Sequence, residues 1–95
     1  MQKKDRKLER LREQIFLADS AILSSLAKRM KIVEKIGAYK HAHKIEPFDA
    51  KLRDKRRLSW IKRGIALKLS KKFVSDIYFI IHDYTVSVER KIGDL

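Results

Sequence analysis

The chain of 95 residues fits a single domain whose own core would be marginal, and its 24 Lys and Arg against 12 Asp and Glu leave a net charge of +12. That balance points to an anionic partner: nucleic acid, a membrane surface or a small anionic ligand. The absence of cysteine excludes a disulfide scaffold and thiolate metal sites. No stretch approaches the ~20 apolar residues that span a bilayer, and no apolar run follows "MQKKDRKLERLR", so neither a membrane span nor a secretory signal is expected. The expected setting is cytoplasmic.

Apolar residues recur at helical spacing almost throughout, with only three glycines and one proline, which predicts an all-α fold of three helices. Helix 1 is expected from about residue 5 to about residue 43. Its stripe passes through Leu8, Leu11, Ile15, Ala18, Ile22, Leu26, Val33 and Ile36. The segment "HKIEPF" ends it, because Pro47 disfavours a helical Glu46. A helix of that length is ~58 Å long at 1.5 Å per residue. Two shorter helices of the same chain cannot cover it, so an intertwined homodimer with antiparallel long helices is expected.

Two cations interrupt the stripe. Arg29 and Lys40 are 11 positions apart, which brings them to one face, ~16 Å apart along the axis. Burying them unpaired would cost several kcal/mol each, so they need anions. The plain alternative is pairing with acidic residues of the other helices, or side chains that reach outward to water. Arg12 lies beside the same stripe but ~42 Å from Lys40, too far to share one small ligand within a chain. An antiparallel dimer would allow Arg12 of one chain to enter the other's site.

Helix 2 is expected over about 48–68, with Pro47 suited to its start and Gly64 weakening it without ending it. It carries Arg53 and Asp54, of which one can point inward; Lys55 to Arg57 read as a solvated run. Helix 3 is expected over about 71–92 with Ser70 as its N-cap. Thr85 and Glu89 share a face at i, i+4. His41 and His43 diverge at i, i+2 and make a poor metal pair. His82 reads as a packing residue. No nucleophile, metal or cofactor motif is readable.

Taken as a set, "LREQI" at 11–15, "LAKRMKIVEKIGAYK" at 26–40, Pro47 followed by "LRD" at 52–54, and "FVSDIYFIIHDYTVSVE" at 73–89 resemble the all-helical chorismate mutases. The resemblance implies a three-helix protomer in an intertwined dimer with two active sites. It implies cofactor-free conversion of chorismate to prephenate in aromatic amino-acid biosynthesis. It further implies that Arg12 binds a substrate carboxylate in the partner's site and that Arg29 binds the other carboxylate region. Lys40 and Glu89 would donate to the ether oxygen of the breaking C–O bond. Arg53 would line the site, Asp54 would hold the ring hydroxyl, and Thr85 would support a carboxylate. Chorismate is a dianion, so cations on a core stripe find their counter-ions in the ligand. Negative charge develops on the ether oxygen during the pericyclic rearrangement, so restraint and preorganised donors suffice.

The sequence departs from the family pattern in several places, among them Glu89 where bacterial members often carry Gln, and a connection from Lys40 to Pro47 that is one residue longer. Ala50 stands where a second hydroxyl-recognising residue is usual, with Asp49 adjacent. Asp54 is one methylene shorter than the usual Glu. Two registers of helix 3 are open, placing either Glu89 or Val88 in the donor slot. Ala50 and Asp54 keep open an isochorismate-pyruvate lyase or an aminodeoxychorismate mutase of the same fold. From another class, a basic helical protein that binds nucleic acid is disfavoured by the lack of a docking motif; a non-catalytic regulatory partner is a further alternative.

Overall fold

The computed structural model describes residues 3–94, with side chains from residue 5 onward. The all-α expectation is met: the described residues form α1 (Lys3–Ala42), α2 (Ala50–Ala66) and α3 (Lys71–Gly93), with no strand among them. The chain divides into two compact units, Met1–Ile32 and Val33–Leu95.

The first unit is the greater part of α1 by itself. The stripe that should form a core face lies open here: Leu8, Leu11, Ile15 and Ile22 are exposed, and so are Phe16, Leu17 and Leu23 off the stripe. Leu26, Arg29 and Met30 are half-buried. Amphipathic spacing makes this segment helical, but it leaves a run of large apolar side chains in water.

The second unit holds the end of α1, with α2 and α3. Its core is Val33, Ile61, Val74 and Tyr78, all buried. The indole of Trp60 meets the Tyr78 ring edge-on at 5.4 Å, a favoured geometry for two quadrupoles.

Both inter-helix turns are made the same way. Lys44 and Lys68 adopt the left-handed conformation, at φ 56° and 64°. The amides of Ile45 and Leu69 then reach back five residues, to the carbonyls of Lys40 (2.8 Å) and Gly64 (2.9 Å), capping each helix end. Helix 1 therefore ends at Ala42 through a left-handed lysine, upstream of the proline expected to stop it. Helix 2 starts at Ala50, within the expected range of 47–50: Asp49 is its N-cap and accepts from the Leu52 amide at 3.1 Å, while Pro47 stays in the connecting loop. Ser70 caps α3 as expected, accepting from the Phe73 amide at 3.2 Å.

Gly64 stands in the last turn of α2 for a steric reason. It is buried, and a Cβ there would stand 2.5 Å from Cγ2 of Val74 on α3. Alanine should gain up to ~1 kcal/mol of helix propensity over glycine. The clash with a β-branched side chain, stiff at χ1, is expected to cost ~1–3 kcal/mol, so the clash wins. Gly64→Ala should lower the thermal midpoint; an unchanged or raised midpoint would show that α2 and α3 separate there at little cost.

A candidate active site at the end of the long helix

The site begins at a second glycine. Gly37 of α1 is buried, and a Cβ on it would lie 3.3 Å from both Cα and Cγ of Glu89, and 3.0 Å from Cδ1 of Ile92. Lacking a side chain, it admits the backbone of α3 closely enough for Glu89 to sit inside the unit. One turn on, Lys40 reaches the same place. Its Nζ donates to Glu89 Oε1 at 3.0 Å and to the carbonyl oxygen of Pro47 at 3.1 Å.

Glu89 is the one buried charged residue among those described, its side chain 4% exposed; that of Lys40 is 22% exposed. Desolvating such a pair costs several kcal/mol per ion, and hydrophobic residues of like volume would serve folding as well or better. Stability is therefore a weak reason for it to be here. Lys40 also lies in the last turn of α1, where the helix dipole favours a cation. The pair opens on a cleft of about 640 Å³, lined by Gly37, Lys40, Pro47, Glu89, Arg90 and Gly93 among others. That volume suits a small-molecule site. A cationic donor and a carboxyl group thus converge at the wall of a cleft, each the other's counter-ion until a ligand intervenes.

Of the two registers open for α3, it is Glu89 that meets Lys40; Val88 is half-buried. Thr85, one turn earlier, is half-buried and its Oγ1 donates to the Ile81 carbonyl at 2.8 Å. Arg53 is half-buried and Asp54 exposed, and Arg53 Nε donates to Asp54 Oδ1 at 3.2 Å. Arg53, Asp54 and Thr85 do not line the 640 Å³ cleft. Asp49, adjacent to Ala50, caps α2 through Oδ1, which accepts from the Leu52 amide at 3.1 Å.

The remaining candidates belong to the first unit. Arg12 is exposed and bonded to Glu9 one turn away at 3.1 Å, a surface contact worth at most ~1 kcal/mol and easily exchanged. Arg29 is half-buried. His43 turns away from any metal role, with Nδ1 2.8 Å from the Tyr39 carbonyl oxygen and its ring stacked on Tyr39 at 3.9 Å. No group of three or more metal-ligating side chains occurs among the described residues, and none of their helices is long and apolar enough to cross a membrane.

Sequence reasoning missed two parts of this site. Gly37 is one, although a glycine inside a helical pattern can mark a close helix crossing. The Pro47 carbonyl is a main-chain acceptor, and residue types carry no sign of it.

No curated protein matches the chain. The family model described as chorismate mutase type II matches residues 11–90, a span that holds Arg12, Arg29, Lys40, Arg53, Asp54, Thr85 and Glu89. With three helices, a long first one, and a buried lysine–glutamate pair inside the matched span, the chain belongs to the chorismate mutase type II family.

Proposed function

We propose that the chain is a chorismate mutase, an isomerase that rearranges chorismate to prephenate without a cofactor in aromatic amino-acid biosynthesis. The observation that carries this reading is the buried Lys40–Glu89 pair at the cleft wall. In the reaction the ether C–O bond breaks as a C–C bond forms, and no proton need leave the substrate. Catalysis therefore rests on holding the reactive conformer and on donors aimed at the ether oxygen. Lys40 supplies one donor as an ammonium group. Glu89 supplies the second only when protonated, because a carboxylate accepts and cannot donate. The remaining roles follow the family pattern and not the cleft lining, which none of these residues joins: Arg29 for one carboxylate region, Arg53 for the substrate's margin, Thr85 for a carboxylate, and Asp54 for the ring hydroxyl.

We further infer a homodimer with shared sites, in which Arg12 of the partner subunit completes each one. Support comes from the exposed apolar side chains of the first unit, which a second copy would cover, and from the weak tether on Arg12. Arg12→Ala and Arg29→Ala homodimers should each be nearly inactive. Refolded together in equal amounts, they should recover about a quarter of wild-type activity, because half the dimers are mixed and each mixed dimer has one intact site. Exchange without recovery would place Arg12 outside the partner's site.

The substrate is tested by offering purified protein chorismate and isochorismate separately. The proposal expects chorismate consumption with prephenate as product. Pyruvate release from isochorismate, with chorismate untouched, would instead assign the lyase reaction of the same fold. Steep salt-dependent DNA binding without turnover of either would assign the nucleic-acid reading.

A further inference from the structure

Phe48 follows the carbonyl that Lys40 engages, in the loop between α1 and α2. It is 39% exposed, so core burial does not explain an aromatic side chain there. Its surroundings offer a better reason. The guanidinium carbon of Arg53 stands over the Phe48 ring, 5.3 Å from its centroid. The same ring also meets that of His82, with centroids 5.9 Å apart and the planes tilted by 58°. His82 in turn stacks on Tyr78 at 5.8 Å, and Tyr78 is only 2% exposed. A file of rings thus runs from the packed interior to the guanidinium of Arg53.

Arg53 is held on two sides. Asp54 accepts from Nε, and the bond does not engage the two terminal amino groups. The Phe48 ring limits how far the guanidinium plane can tip, since a cation is drawn to the negative face of the π-system. Two adjacent residues of the 43–49 loop therefore bear on candidate site residues: the Pro47 carbonyl accepts from Lys40, and the Phe48 ring lies under Arg53.

We propose that Phe48 is a positioning residue, an aromatic platform that orients the Arg53 guanidinium toward the substrate. The inference rests on the chorismate mutase reading for what Arg53 binds, and concerns a residue that touches Arg53 rather than the reacting atoms. Leucine has a similar bulk but no π-face, whereas tryptophan has the strongest one. Phe48→Leu should lower kcat/KM about fivefold, mainly through KM, the size expected of a partly desolvated cation–π contact. Phe48→Trp should retain wild-type values.

The deciding step repeats Phe48→Leu in an Arg53→Ala background, with thermal midpoints confirming that each variant is folded. The proposal expects a further change below about twofold, because the platform then has nothing to orient. A loss of equal size in both backgrounds, or no loss in either, would overturn the role of Phe48 while leaving the mutase reading intact. No chorismate turnover by the wild-type protein would overturn both.

Discussion

Lys40→Ala is expected to lower kcat/KM by about 10²–10³, the usual consequence of removing one preorganised donor from a developing oxyanion. Lys40 Nζ is bonded to the buried carboxyl of Glu89 at 3.0 Å and to the Pro47 carbonyl oxygen at 3.1 Å. The loss should therefore fall on kcat as well as on KM. Stability should fall too, because Glu89 loses the partner that compensates its burial. The rate is accordingly measured below the melting transition of the variant, with helicity followed by circular dichroism. An effect smaller than tenfold in a folded Lys40→Ala protein would move the catalytic donor elsewhere.

The second large effect concerns Glu89. In the absence of ligand a carboxyl oxygen of Glu89 accepts from Lys40 at 3.0 Å. To assist the ether oxygen it must carry a proton and donate. Wild-type activity should therefore fall as rising pH removes that proton. Glu89→Gln supplies an N–H donor of nearly the same shape at every pH. It should flatten the pH profile and raise activity near neutrality. Glu89→Ala should be slower by about 10²–10³ throughout, since it removes a donor and opens a cavity behind Lys40. Wild-type behaviour by Glu89→Ala across the pH range would remove Glu89 from the donor position.

What could be read from residues alone was whatever repeats at 3.6 positions or depends on side-chain type. The long stripe of α1, the shared face of Thr85 and Glu89 and the cap at Ser70 were all legible in that way. Even the exposure of Leu11 and Ile15 followed from helix length, since a short chain cannot wrap a long helix. Helix ends were harder. Two lysines in the left-handed conformation end α1 and α2, and lysine carries no preference that announces this, so Pro47 drew attention that belonged to Lys44. The depth of Glu89 depends on a missing side chain at Gly37 and on a main-chain oxygen at Pro47. Each is a tertiary fact with no periodic signature. Asp49 shows the converse: an acid placed beside Ala50 turns one carboxylate oxygen to the start of α2.

The most direct test of the Lys40–Glu89 assignment is the crystal structure of the protein bound to a stable dicarboxylate ether that mimics the rearranging substrate. The account predicts the ether oxygen within ~3 Å of both Lys40 Nζ and a Glu89 carboxyl oxygen, the hydrogen-bond distance required of a donor. It also predicts Arg12 of the partner subunit on one of the ligand's carboxylates. A ligand bound elsewhere, with the Lys40–Glu89 pair still closed, would contradict it.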